Sequence, residues 1–183
     1  MVILASASPR RKELMKQITD DFQVIVSDIN EEQSYALSPL EAVLDIAKRK
    51  GLKVHEQHPH DLVISADTIV VLNNQIIHKP IDEEDAKRIL KMLSNKKHQV
   101  ITAYCLFKDN KMIERHVISE VVFNDLSEQL INEYVASGSP LDKAGAYGVQ
   151  DNDHFPIVKE TRGSLTNVIG FPVDEIKEDF LKF

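Results

Sequence analysis

The sequence predicts an α/β fold, and three observations carry that prediction. Short β-branched or apolar runs alternate with stretches of helical periodicity along most of the chain. The N-terminus reads as strand, tight turn and helix, and residues 98–107 and 111–123 read as two long strands joined through Asp109-Asn110. The 183 residues suit one domain, or one domain with two lobes, and no repeat, low-complexity segment or linker divides them.

Val2-Ile3-Leu4-Ala5 suits a buried first strand. Ser6-Ala7-Ser8-Pro9-Arg10-Arg11 leads from it into a helix whose apolar side is Leu14, Met15 and Ile18. Ser8 has the chemistry of an N-cap and Pro9 that of a first helical residue. The helix start then offers backbone N–H groups beside two hydroxyls and two guanidinium groups, a setting that favours an anion, phosphate above all. A plain capped helix with solvated arginines accounts for the same residues. The stretch also lacks the glycines and the Gly-Lys-Ser/Thr ending of a Walker loop.

Residues 22–26 read as a second strand, followed by an acidic stretch that includes Glu31. Ser38-Pro39-Leu40-Glu41 is a capping box. Leu40, Val43, Leu44 and Ala47 extend its helix to about Lys50, so that Lys48, Arg49 and Lys50 fall in the last turn and complement the dipole. His55, His58 and His60 lie in a loop broken by Pro59, with no rigid frame for metal ligands. Residues 62–66 then form an apolar run that places Asp67 near the carboxyl end of a central strand, where open α/β sheets bind ligands. An acid in such surroundings needs a cation, a metal or water beside it, although Asp also ends strands for structural reasons.

Residues 69–72, a turn at Asn73-Asn74 and residues 75–78 make a hairpin that delivers Lys79-Pro80. Asp82 to Asp85 open a third helix, with Ala86, Ile89, Leu90 and Leu93 on its apolar face. Asp125-Leu126-Ser127-Glu128 starts a fourth, which Gly138 ends. A glycine-bearing loop carries Asp142 and Lys143 and runs to Gln150, and a final helix spans residues 173–181.

Composition narrows the class. A net charge of −7 disfavours extended nucleic-acid binding while leaving room for a local basic site. Cys105 is the only cysteine, so no intramolecular disulfide forms, and its apolar neighbours make it a core residue. No long apolar span or N-terminal signal pattern is present, which points to a cytoplasmic protein without a membrane partner.

Five stretches together resemble the Maf family of septum-formation-type nucleoside triphosphate pyrophosphatases. They are Ser6-Ala7-Ser8-Pro9-Arg10-Arg11, Ser65-Ala66-Asp67-Thr68, Lys79-Pro80, Pro140-Leu141-Asp142-Lys143-Ala144-Gly145-Ala146-Tyr147 and Asn167-Val168-Ile169-Gly170-Phe171-Pro172, in the family's order and spacing. The resemblance covers residues 1–183 as a single domain. It implies a mixed twisted sheet with flanking helices, two lobes around a deep cleft, similar to the ITP/XTP pyrophosphatases. It also implies hydrolysis between the α and β phosphates with a divalent cation, Mg²⁺ or Mn²⁺ with Co²⁺ a third candidate, in a homodimer.

By the same resemblance, Ser6, Ser8 and Arg11 bind phosphate, and Glu31, Lys50, Asp67 and Lys79 line the catalytic cleft. Asp67 matches the family's proton acceptor, and Glu31 and Asp67 supply the metal's oxygen ligands. Asp142 and Lys143 match a later cleft loop. Arg10, Thr68 and Gln150 match the positions marking the branch that acts on dTTP and UTP, where the sister branch preferring 7-methyl-GTP has Trp, Gln and Glu. The chain departs from the family's usual pattern at Gly51, where alanine is common, at His78, where an acid is usual, and at Asp151-Asn152-Asp153-His154, where a glycine turn is usual. Two other readings fit the acidic, compact chain: a non-catalytic nucleotide-binding regulator of cell division, and a house-cleaning enzyme for ITP or XTP. The first predicts binding without pyrophosphate release, the second a purine-first ranking.

Overall fold

The computed structural model describes residues 1–183. Its strands are β1 (Val2–Leu4), β2 (Gln23–Val24), β3 (Leu62–Leu72), β4 (Gln75–Ile77), β5 (Lys97–Lys108), β6 (Lys111–Phe123) and β7 (Val158–Arg162). Its helices are α1 (Pro9–Met15), α2 (Pro39–His55), α3 (Glu83–Leu93), α4 (Glu128–Ala136), α5 (Leu165–Ile169) and α6 (Val173–Phe180). The strands form one mixed sheet in the order β2-β1-β3-β5-β6-β7, with β4 also paired to β3. The chain divides into two compact units. The first comprises Met1–Thr68, Ile101–Val117 and Thr166–Phe183, and the second Ile69–Val100 and Ile118–Leu165.

In the first unit β1 lies parallel to both β2 and β3, with Leu4 opposite Ile64. Leu4, Ile64 and Ala66 of the strands meet Leu14 and Met15 of α1, Tyr104 and Leu106 of β5, and Phe171 and Ile176 at the C-terminal helix. Leu14 and Met15 lie on the predicted apolar face of α1, and removing this cluster from water is what holds α1 and α6 to the sheet.

Two elements here are longer than the sequence pattern implied. The helix expected to stop near Lys50 runs on to His55. Gly51, where the family commonly has alanine, lies inside α2 where the helix presses on the sheet. A Cβ at this position would sit 2.4 Å from both Ser65 Oγ and Phe107 Cε2. Lys48, Arg49 and Lys50 are therefore mid-helix residues rather than dipole complements, a correction that bears directly on the site below. Likewise, Asp67 does not stand near the carboxyl end of its strand. It lies in the middle of β3, which continues unbroken to Leu72. In the other direction, the strand expected over residues 22–26 keeps only Gln23–Val24, both exposed.

The second unit holds the β3–β4 hairpin, in which Val70 faces Ile77, and the antiparallel β6–β7 pair. Asn73 and Asn74 turn the hairpin with φ of 50° and 60°, a conformation that asparagine tolerates. Ile89, Leu90 and Leu93 of α3 and Ile131, Tyr134 and Val135 of α4 are buried on the predicted faces. β7 and α5 had no counterpart among the expected elements.

Candidate functional site

Helix α2 and strand β3 create the charged centre of the first unit. Val43, Ile46, Ala47 and Val54 bury one side of α2, which turns Lys50 toward β3. Its Nζ lies 2.9 Å from Asp67 Oδ1 and 2.7 Å from Glu31 Oε1. Asp67 is only 9% exposed, in a strand buried almost throughout. Burial pushes its carboxyl above the usual carboxylate range, Lys50 and Arg11 oppose that shift, and Glu31 adds to it. A carboxylate poised upward, with a cation in contact, has the character of a general base.

Tyr35 was not among the expected site residues, yet its hydroxyl donates to Glu31 Oε2 at 3.2 Å. Burial and the nearby Glu31 push the phenol's pKa up, so it keeps the proton it donates. Nothing in the sequence pattern singled it out, because its partner lies four residues back in an irregular segment. Glu31 thus meets a lysine through one oxygen and a phenol through the other.

Arg11 is not the solvated arginine of the plainer reading of this helix start. It is half-buried, and its Nε donates to the Gly170 carbonyl at 2.8 Å. Nη1 reaches the Ala66 carbonyl at 2.9 Å and Ser6 Oγ at 3.4 Å, and Nη2 reaches Thr68 Oγ1 at 2.9 Å. Burial lowers its pKa while Asp67 acts against that shift, and a guanidinium remains charged under such conditions. The Thr68 hydroxyl is engaged too, 2.8 Å from Thr102 Oγ1 and within 3.3 Å of the Gly170 carbonyl. Ser8 is the N-cap of α1, as its place before Pro9 predicted, and accepts from the Arg11 amide at 3.4 Å. Its own amide donates to Ser6 Oγ at 3.2 Å. Arg10, next to Arg11, is likewise half-buried.

The structure therefore gathers Ser6, Ser8, Arg11, Glu31, Lys50, Asp67 and Thr68 into one connected set in the first unit. Lys79, Asp142, Lys143 and Gln150 belong to the second. Lys79 is exposed after β4. The expected open loop from Ser139 to Gln150 is instead a chain of short 3₁₀ turns, Ser139–Asp142, Ala144–Ala146 and Val149–Asp151. Lys143 Nζ binds the Ser139 carbonyl and hydroxyl, at 2.5 Å and 3.0 Å, and Asp142 Oδ1 at 2.9 Å. Asp151 accepts from Tyr134 at 2.8 Å and from Ser139 at 2.5 Å, so the residue that replaces the family's glycine turn ties this loop to α4. Gly145, with φ of 72°, packs where an added Cβ would meet Val70 at 3.0 Å.

His55, expected in a loop, is the last residue of α2, and it and His60 fasten loops. His55 stacks on Phe107 and pairs with the Asp109 carbonyl, while His60 pairs with the Asp109 carboxylate. Cys105 is buried in β5, and burial pushes its thiol up to about 12, as suits a core residue. No helix is long and apolar enough to cross a membrane.

Fold and centre together define an α/β protein that holds a lysine between two carboxylates, one of them buried in a central strand. The chain belongs to the Maf family: the family model described as Maf-like protein matches residues 1–183. Curated relatives named dTTP/UTP pyrophosphatase match over nearly the whole length. One from Aquifex aeolicus is 44% identical over 172 residues, 94% of this chain and 90% of the relative. One from Clostridioides difficile is 42% identical, covering 100% and 94%, and one from Thermococcus onnurineus is 41% identical, covering 95% and 93%. Among solved structures, a HAM1 protein from Coxiella burnetii superposes with a TM-score of 0.55 at 13% identity, covering 100% of this chain and 98% of that one. The Staphylococcus aureus Ham1 protein does so with 0.53 at 12% identity, covering 99% and 97%. At such identities the likeness concerns the fold.

Proposed function

We propose that this protein is a nucleoside triphosphate pyrophosphatase that hydrolyses dTTP and UTP to the monophosphate and pyrophosphate. The observation that carries the reading is the Lys50 ammonium held between Glu31 and the buried, upward-shifted Asp67. The full-length likeness to relatives named dTTP/UTP pyrophosphatase supplies the substrate class.

Cleaving a phosphoanhydride builds negative charge on the leaving pyrophosphate, so fixed positive charge lowers the barrier. Asp67 receives the proton of the attacking water. Lys50 opposes the upward shift that burial imposes on the Asp67 carboxyl and offers its charge to the triphosphate. Arg11 acts through its charge and by holding Ser6 and Thr68, since four of its five N–H donors are committed within the unit. Ser8, at the start of α1, binds phosphate. Lys79, Asp142 and Lys143, which match the family's cleft positions, contribute to substrate binding. Arg10, Thr68 and Gln150 set the base preference, Thr68 through its grip on Arg11 and the Gly170 turn.

Glu31 and Asp67 also suit a divalent cation: both direct a carboxylate oxygen at one cationic position, within 2.7 Å and 2.9 Å of it, and oxygen donors favour hard ions such as Mg²⁺ or Mn²⁺. Such an ion would supply charge neutralisation on the phosphate oxygens.

Pyrophosphate release from dTTP, UTP, CTP, GTP, ITP and 7-methyl-GTP, with Mg²⁺ or Mn²⁺ and with chelator, tests the reading. The expected result is metal-dependent release led by dTTP and UTP. A purine-first ranking would overturn the substrate assignment, and nucleotide binding without release would overturn the enzymatic one.

A further inference from the structure

Glu31 belongs to no strand or α-helix, and yet its carboxylate meets Lys50 at 2.7 Å. Residues 25–31 are irregular, and Glu31 only precedes the 3₁₀ turn Glu32–Ala36. Such a segment carries a high conformational entropy unless something fixes it. Ser27, whose hydroxyl donates to the Lys50 carbonyl at 2.9 Å, and Lys53, which donates to the Asp28 carbonyl, hold its earlier part; the contacts on either side of Glu31 come from Arg49, the neighbour of Lys50 on α2. Its Nη1 donates to the Asn30 carbonyl at 2.9 Å, and its Nη2 donates to the Ser34 hydroxyl. Its Nε is held by Asp45 Oδ2 at 2.8 Å, one helical turn back. Asp45 also accepts from Ser34 Oγ at 2.7 Å, and Ser34 is only 1% exposed. The Ser34 amide closes the turn on the Glu31 carbonyl at 3.0 Å.

Arg49 and Asp45 thus grip the backbone immediately before Glu31 and the side chain three residues after it. We propose that Arg49 is a positioning residue for the reaction: it holds the 30–34 segment so that Glu31 meets Lys50, without itself touching substrate. Helix α2 then serves the centre twice, once directly through Lys50 and once through the residue before it. The inference rests on the proposed function in one respect, that Glu31 belongs to the reacting centre.

The rival account is an ordinary i,i+4 ion pair with Asp45 that merely supports α2. A lysine at position 49 keeps that pair's charge but loses the planar fork that spans Asn30 and Ser34. The discriminating experiment is a double-mutant cycle on kcat/KM for UTP, using Arg49→Lys, Glu31→Gln and the double variant, with the thermal midpoint of each recorded.

If Arg49 acts through Glu31, Arg49→Lys lowers kcat/KM about tenfold, within the range that small misplacements of reacting groups produce. The loss falls on kcat, and in the Glu31→Gln background the same change costs less than about twofold. Ser34→Ala, which leaves the Arg49–Asp45 pair in place, lowers activity in the same direction. Equal losses from Arg49→Lys in both backgrounds, or no loss in either, would overturn the positioning role while leaving the centre intact. An active Glu31→Gln protein with wild-type kcat/KM would instead overturn the role of Glu31 itself, and the inference with it.

Discussion

The two units bury polar groups in opposite ways. The first places charge inside: Asp67 is held by Lys50, and the half-buried Arg11 donates four N–H bonds, to two backbone carbonyls and two hydroxyls. The second places a neutral ring inside. His98 is 2% exposed, its Nε2 lies 2.7 Å from the Tyr147 hydroxyl, and its Nδ1 has no partner. Phe123 and Tyr147 meet that ring edge-on, with centroids 5.0 Å and 5.3 Å away. Burial depresses His98 to about 4, while burial raises Asp67.

The contrast teaches where each unit yields to pH. The unfolded chain protonates His98 near its ordinary value of 6.5, but the folded one does so only near 4. That part of the stability is complete above pH 6.5 and is lost as pH falls toward 4. Asp67 runs the other way: the fold favours its protonated form, so its contribution diminishes as pH rises from the ordinary carboxylate value of 3.8 through its raised one. A strained ionisation is tolerated where chemistry needs a base. In the second unit the same burial serves packing, with a histidine kept neutral.

The largest expected effect breaks the comparison at its chemical end. Asp67→Asn should cut turnover of UTP by ~10²-fold or more, the usual scale of general-base loss, while circular dichroism shows the fold retained, since Lys50 keeps Glu31 as a partner. Activity above about a tenth of wild type would remove Asp67 from that role. In the active protein, the acid limb of kcat/KM should lie above the ordinary aspartate range, and Lys50→Gln should move it higher, because Lys50 holds the carboxyl down.

At the other end, urea titrations between pH 7 and pH 4 should show wild type losing about 3 kcal/mol through His98, from a fall of 6.5 to about 4 at ~1.4 kcal/mol per unit. His98→Gln, which keeps a polar partner for Tyr147 but cannot titrate, should lose that much less over the same interval. An identical acid slope in both proteins would contradict the neutral-ring account. The smallest effect concerns the contact that lets charge enter the first unit at all. Gly51→Ala forces a methyl against Ser65 and Phe107, so a loss of about 1–3 kcal/mol from overpacking is expected in thermal or urea unfolding. A stability equal to wild type would mean that α2 shifts freely on the sheet.

How much of this was legible in the sequence depended on distance along the chain. Asp67 stood out as a lone acid in an apolar run, and Ser8 as a cap before proline, because both signals are local. The pairing of Lys50 with Asp67 was not local. Its basic triplet looked like a helix end, and only contact with Phe107 and Ser65 shows why a glycine stands inside the helix beside it. The resemblance to Maf proteins, not periodicity, brought Glu31, Lys50, Lys79 and Gln150 forward. Arg49, Ser34 and Tyr35 were missed because they act on an irregular segment whose partners lie a helix away or on its own turn. α5 spans five residues, too few to display a helical period, and β7 alternates charges without an apolar run. His98 carried no signal at all, since one histidine at a strand start reveals neither its burial nor its aromatic neighbours.

The most direct test of the account is to follow UTP turnover by phosphorus NMR, for the wild-type protein and for Asp67→Asn. The account predicts UMP and pyrophosphate in equal amounts from the first and unchanged UTP from the second. Orthophosphate with UDP, or equal turnover by both proteins, would contradict it.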